Sequence, residues 1–491
     1  MSLGQWLSRE LLSQVAIGVS LLILLVAQGW AVVILVRHGV SALAFSYPLD
    51  YGEGPLLDQA VRLADLKNIY WADLATPPYV VANYPPLFGL VQAPFVWLFG
   101  PAFWYGRAIS FVSALAVALL IALTLHALTK NKIGAAVGGL TFLAVPYVLL
   151  WSSLARVDLL GLALSWAGLF AVARWPERRR AVILAALLLL AAAYTRQTYA
   201  LAAPFTAFVW LLAQGPRRRA GEFACVVWGL GLVLLIILST LTEGGFFFNT
   251  VISNMNEFQW ERWSYYVSEV QSLMPYLLLS GGAFLLLAPW WQVKSYWLVA
   301  PYIAGAVLSA LLIGKVGSAS NYLLELSAAL GLAMGALVAW QGCRRWLQAA
   351  LILVLAVQVV GMTQWSETYY NGSGVYDSEV QRSEIEQLNE VVQGAEGTVL
   401  ADQHMGLLPL NGRQIYFQPF ELTQLARDGK WDQRPFLRAL EEEEFATILI
   451  WQPYYAYDVL NTRWTPEMLD RINERYEPTE EVAGTVVYRP R

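Results

Sequence analysis

The segment Tyr47-Pro48-Leu49-Asp50-Tyr51-Gly52-Glu53-Gly54-Pro55 places two carboxylates three residues apart, among glycines and prolines, directly after a long apolar run. Glycine and proline let a backbone turn sharply and bring a carboxylate close to a ligand. At the edge of a bilayer, partial desolvation raises a carboxyl pKa and makes a better general base, unless a cation or metal offsets the shift. Asp50 and Glu53 are therefore the first catalytic candidates, although the same residues also read as an ordinary solvated turn. Asp58, Arg62 and Asp65 follow at helical spacing and read as the solvated face of a short interfacial helix.

Cations recur at comparable places further along. Trp151-Ser-Ser-Leu-Ala-Arg156-Val-Asp158 sets two charges at the mouth of an apolar run, where a charge is costly unless it is paired or useful. Tyr194-Thr-Arg196-Gln-Thr198 separates two apolar blocks, and its planar guanidinium suits phosphate oxygens. The loop from Glu243 to Gln271 carries Phe246, Phe247 and Phe248, then Asn254, Asn256, Trp260, Arg262 and Trp263, and its aromatic rings fit an interfacial belt or stacking on sugar faces. Gly314-Lys315-Val-Gly-Ser-Ala-Ser-Asn321-Tyr322 offers an ammonium for a phosphate, with Asn321 and Glu325 turned toward the interior. For Arg156 and Arg196, anchoring to lipid headgroups is the plainer alternative. No one segment is specific; the joint pattern is that of an enzyme taking its substrates at one membrane face.

The elements that must hold these segments are apolar. Of 491 residues 57% are hydrophobic and 14% charged, where soluble domains carry about 25% charged residues. Blocks of about 15 to 25 apolar residues match a hydrocarbon core about 30 Å thick, in which only internally hydrogen-bonded helices survive. Eleven spans are expected, at 12–36, 102–129, 133–150, 157–174, 181–195, 198–213, 221–241, 273–290, 296–313, 321–340 and 346–364. The run Leu12 to Val36 is too long for the core of a signal peptide and reads as the first membrane helix. With the N-terminus inside, five basic loops fall on the cytoplasmic face: Lys130/Lys132, Arg174 with Arg178–Arg180, Arg217–Arg219, Lys294 and Arg344/Arg345. The segments 37–101, 151–156, 195–198, 242–272 and 314–320 and the tail then lie outside. The short, proline-bracketed run 86–100 reads as re-entrant or interfacial.

Residues 1–371 thus form a transmembrane module, with 37–101 its first extracytoplasmic loop, and 372–491 a small soluble α/β domain in the same outer compartment. Ser378–Val392, Phe420–Arg427, Pro435–Glu443 and Pro466–Arg475 read as helices, and Thr398–Ala401, Gln414–Phe417, Ala446–Trp451 and Glu481–Tyr488 as strands. Asp402 and His404 at a strand end lack a nucleophile motif. Cys225 and Cys343 read as small buried apolar residues. A net charge of -4 argues against a nucleic-acid partner.

In this layout the chain resembles GT-C fold glycosyltransferases, the superfamily of protein O-mannosyltransferases and lipid A aminoarabinose transferases, and most of all the prokaryotic members called family 39-like or RgtA/B/C/D-like. The matching elements are Asp50-Tyr-Gly-Glu53 after the first span, the long first loop, Tyr84-Pro-Pro86, Arg156-Val-Asp158, the multi-span core and the C-terminal domain. The resemblance, over roughly residues 10–365, implies a polyprenyl-phosphate-linked sugar donor and an acceptor hydroxyl on a glycan, lipid or protein. It implies Asp50 as the base in an inverting transfer, with Glu53 left open for a second role because Gly52 replaces the adjacent acidic pair of the mannosyltransferases. Substrate-binding candidates are Tyr84, Arg156, Asp158, Arg196, Arg262, Lys315 and Asn321. No cofactor is required; a divalent metal at Asp50 and Glu53 is an alternative that ligand spacing does not favour. The rival reading is a polytopic transporter or lipid flippase, which should show internal repeats or broken mid-membrane helices.

Overall fold

The computed structural model describes residues 3–340, 344–371, 379–452, 457–482 and 484–491. Against eleven expected spans, seven helices are long and apolar enough to cross a membrane: Glu10–Ala44, Trp104–Thr129, Val157–Arg174, Arg217–Leu241, Tyr296–Gly314, Ser320–Ala339 and Arg345–Tyr369. Two bent pairs raise the number to nine. Lys132–Leu143 and Pro146–Ser152 meet at 64°, and Trp260–Leu273 and Pro275–Leu287 at 87°. Each break falls before a proline in the first turn of the second helix, where a missing N–H costs nothing. The remaining expected spans are the helices Arg179–Ala193 and Ala202–Gln214, of 15 and 13 residues. At 1.5 Å per residue both fall short of a core about 30 Å thick. Leu87–Phe99, with 13 residues, is too short for the same reason.

Close helix packing rests on glycine. Along Lys132–Leu143 and Leu324–Ala339, Gly134 and Gly138 face Gly335 and Gly331. A Cβ on Gly134 would meet the Gly335 carbonyl oxygen at 2.6 Å, and one on Gly335 the Gly134 carbonyl at 2.5 Å. This is the small-residue spacing that lets membrane helices touch backbone to backbone. Cys225 is exposed rather than buried, on the span with the fewest protein neighbours; Cys343 lies outside the described residues.

The C-terminal unit is a mixed four-stranded sheet in the order β1-β2-β4-β3, with β1 Thr398–Ala401, β2 Phe445–Trp451, β3 Tyr476–Val482 and β4 Thr485–Pro490. β1 and β2 are parallel, and the other pairs antiparallel. Helices Glu379–Gly394, Pro419–Arg427, Arg434–Glu441, Tyr457–Arg463 and Pro466–Arg475 accompany it; Ser378 lies outside the described residues. Two expected strands differ. Glu481–Tyr488 is a hairpin instead, turning at Gly484 with φ 68°. Gln414–Phe417 is extended backbone with one parallel bridge, from Phe417 to Tyr79 of the first long loop. That loop is buried into the C-terminal unit: Leu74, Tyr79 and Val81 share an apolar core with Leu400, Phe417, Phe436 and Trp464. The same packing buries Asp58, expected on a solvated face, which pairs with Arg62 at 2.7 Å.

Candidate functional site

Polar loops at one end of the bundle and the C-terminal unit enclose a cavity of about 770 Å³. Tyr84, Arg156, Arg196, Lys315 and Asn321 all line it. Sequence segments more than a hundred residues apart therefore converge, and three of the four expected cations arrive in one hollow.

Asp50 sits in the turn between the first helix and Glu53–Ala64, at the edge of this cavity. The two residues after it, Tyr51 and Gly52, line the wall, and its side chain is 31% accessible. Its Oδ1 accepts from Arg156 Nη1 at 3.0 Å and from the Gly52 N–H at 3.1 Å. Burial pushes its carboxyl above the ordinary range; Arg156 opposes the shift, and Glu53 adds to it. Arg156 precedes the helix Val157–Arg174 and also donates from Nη2 to the Tyr84 hydroxyl at 3.3 Å. Its guanidinium lies 5.5 Å from the Trp151 ring centre and 6.0 Å from that of Tyr84. Burial works against its charge, but Asp50, Tyr84 and Asp158 together outweigh this and hold the pKa above the usual value.

The first turn of that helix carries Asp158, which is fully buried and does not line the cavity. It accepts from Arg196 Nη1 and from Asn321 Nδ2, the latter at 2.9 Å. Asp158 thus orients two lining residues instead of meeting a ligand. Arg196 also lies over the Tyr322 ring, 4.4 Å from its centre. Lys315 donates to the Asn254 carbonyl at 3.3 Å and keeps its remaining donors for the cavity.

Two further expected site residues, besides Asp158, lie off the cavity wall. Glu53 is wholly inaccessible. Its Oε1 accepts from Arg107 Nε (2.9 Å) and the Ala155 N–H (2.7 Å), and its Oε2 from Arg107 Nη2 (2.8 Å) and the Leu49 N–H (2.7 Å). With four hydrogen bonds its lone pairs are taken, so the catalytic assignment gives way to a structural one: it ties the first turn to Arg107 and the 151–156 loop. Arg262 donates to the Ser318 carbonyl and stacks on Tyr266, outside the cavity wall, where it braces the 314–320 loop. Trp260 and Trp263 do not line the cavity. Asp402 is buried and accepts from the Trp451 N–H at 3.0 Å and Trp464 Nε1 at 3.3 Å, a scaffold role. Among the described residues no three His, Cys, Asp or Glu side chains converge as metal ligands.

The cavity also holds residues that sequence reasoning missed. Gln418, Phe420, Glu421, Thr462 and Arg463 reach it from the C-terminal unit; Gln197, Asn254 and Asn256 reach it from bundle loops that the sequence itself singles out. Arg107, near the start of an apolar helix, carried the signal of a costly intramembrane charge that must have a partner.

A multi-span bundle with a long, helix-bearing first loop, capped by a C-terminal α/β unit over a cationic cavity, is the GT-C architecture, and the chain has that fold. Among solved structures, ArnT from Cupriavidus metallidurans bound to undecaprenyl phosphate aligns with a TM-score of 0.59 at 13% identity, covering 94% of this chain and 97% of that one. The apo form of the same protein aligns at 0.58 and 14%, covering 94% and 98%. The archaeal oligosaccharyltransferase AglB from Archaeoglobus fulgidus, in complex with an inhibitory peptide and a dolichol-phosphate, aligns at 0.53 and 11%, covering 94% and 74%. No family model and no curated protein matches the chain.

Proposed function

We propose that the chain is a multi-pass membrane glycosyltransferase that moves a sugar from a polyprenyl-phosphate-linked donor to an acceptor hydroxyl, on the extracytoplasmic face and with inversion. The observation that carries this reading is the contact of Asp50 with Arg156 beside a cavity that also holds Arg196 and Lys315. Both hydrogen bonds to Asp50 fall on Oδ1, which leaves Oδ2 for a substrate O–H. Asp50 takes the acceptor proton as the acceptor oxygen bonds to the anomeric carbon, and the bond from that carbon to the phosphate oxygen breaks. The phosphate leaves with the electron pair, and Arg156, Arg196 and Lys315 stabilise its growing charge. A fold shared with a protein solved in complex with undecaprenyl phosphate supports a lipid phosphate as the group those cations meet. The basic-loop pattern supports a cytoplasmic N-terminus and an extracytoplasmic C-terminal unit, which fusion reporters placed after residues 220 and 491 would read directly.

The test is Asp50→Asn in proteoliposomes, with a radiolabelled sugar on undecaprenyl phosphate. Turnover should collapse while binding of undecaprenyl phosphate persists. Near wild-type transfer by a well-folded variant would overturn the assignment.

A further inference from the structure

The cations account for one part of the cavity; a carboxylate, Glu421, accounts for another and has no use in the transfer step described above. It lies on the helix Pro419–Arg427 of the C-terminal unit and lines the cavity. Its Oε2 accepts from the Tyr51 hydroxyl at 2.9 Å and its Oε1 from Asn83 Nδ2 at 3.2 Å. Each oxygen keeps one further lone pair. Burial raises its pKa, and Arg156 is near enough to oppose that shift. Arg463, 9% accessible, lines the cavity too and stacks on Tyr51 with 4.7 Å to the ring centre. Its Nη2 donates to Gln403 Oε1 at 2.5 Å, while Nη1, 3.8 Å from Asp402, makes no hydrogen bond among the described residues. Asp402 thus offsets the guanidinium charge from behind, while Arg463 itself forms part of the cavity wall.

We propose that the C-terminal unit completes the cavity with a carbohydrate subsite, in which Glu421 and Arg463 hold the hydroxyls of a neutral pyranose against Phe420. The chemistry sorts by charge. A phosphate is drawn to Arg156, Arg196 and Lys315 and repelled by Glu421. A sugar hydroxyl both donates and accepts, and so pairs with a carboxylate and a guanidinium together. Gln418 and Asn83 add amides to the same part of the wall, and the Phe420 ring offers an apolar face for sugar C–H groups. The identity of the occupant, either the transferred sugar or a glycan acceptor, rests on the transfer reading; the existence of the subsite does not.

The experiment is saturation-transfer NMR on the full chain in nanodiscs, with methyl hexopyranosides and pentopyranosides as probes. At least one should receive saturation, and its affinity should fall about tenfold or more in Glu421→Gln and in Arg463→Met, the loss expected for a charge-assisted hydrogen bond. Tyr51→Phe frees the carboxylate from the hydroxyl but keeps it in place, and should still bind. Displacement of the probe by undecaprenyl-phosphate-linked hexose, and not by undecaprenyl phosphate alone, assigns the subsite to the transferred sugar. Retention of the probe under both assigns it to the acceptor. Absence of signal from every probe, undiminished binding in both variants, or equal loss in Tyr51→Phe overturns the subsite. A protein that binds pyranoside but transfers nothing would sink the transferase reading alone.

Discussion

A Cβ placed on Gly52 would lie 1.2 Å from Nη1 of Arg156, so the guanidinium occupies the space that any other side chain at 52 would need. The glycine that separates Asp50 from Glu53 is thus what lets Arg156 reach Asp50. Gly52→Ala should push Arg156 away without unfolding the bundle. Misplacing a catalytic group by about 1 Å costs about 10²-fold, so turnover in the proteoliposome assay should fall by that order while the melting temperature stays close to wild type. Full activity in Gly52→Ala would show that the Arg156–Asp50 contact is dispensable.

The pair formed by Glu53 and Arg107 predicts the opposite signature. Both side chains are 0% accessible and bonded through both carboxylate oxygens. Arg107→Leu leaves a buried carboxylate without its cation and should destabilise the fold by about 3–5 kcal/mol. Replacing both residues with apolar ones should recover only part of that loss, because the Leu49 and Ala155 N–H groups and the Ala42, Phe45 and Tyr47 carbonyls would lose their partners. Thermal unfolding of the single and double variants measures it. A Glu53→Gln protein of unchanged stability but no turnover would return Glu53 to the chemistry.

Metal dependence follows from the same geometry. A divalent ion at the Asp50-Tyr-Gly-Glu53 turn would need lone pairs of Glu53 that Arg107, Leu49 and Ala155 already occupy. Transfer should therefore survive exhaustive EDTA treatment. Loss of activity restored by magnesium or manganese would count against this account of Glu53.

What could be read from the chain in advance depended on cost. A cation at the mouth of an apolar run is expensive, so Arg156, Arg196 and Lys315 stood out against a hydrophobic background, and all three line the cavity. Asp50 and Glu53 could not be told apart, because the residue that consumes Glu53 lies 54 positions away. Glu421 and Arg463 were invisible for the reverse reason: in a soluble unit charge is common, and the link from Glu421 to Tyr51 spans 370 residues. The helices long and apolar enough to cross number up to nine, because Arg179–Ala193 and Ala202–Gln214 are apolar but short, and Arg196 between them still reaches the cavity. The Gln414–Phe417 strand failed because its partner is the first loop rather than the sheet.

On the proposed mechanism, the raised pKa of Asp50 should set the acid limb of the rate. As a base Asp50 works only when ionised, so activity should rise with pH through its pKa and then level off. Burial, the largest influence, moves that limb above the pH at which a solvent-exposed aspartate titrates. Arg156 favours the ionised form and so pulls the limb back down. Removing the guanidinium in Arg156→Met should therefore shift the limb of the residual activity to higher pH, in addition to slowing the reaction. Neutralising a cation that meets only the phosphate would slow the reaction and leave the limb in place, and Lys315→Met is the comparison. Both outcomes are read from kcat/KM against pH with the same lipid-linked donor. A limb that stays put in Arg156→Met would mean that the titrating base is not the carboxylate this arginine touches.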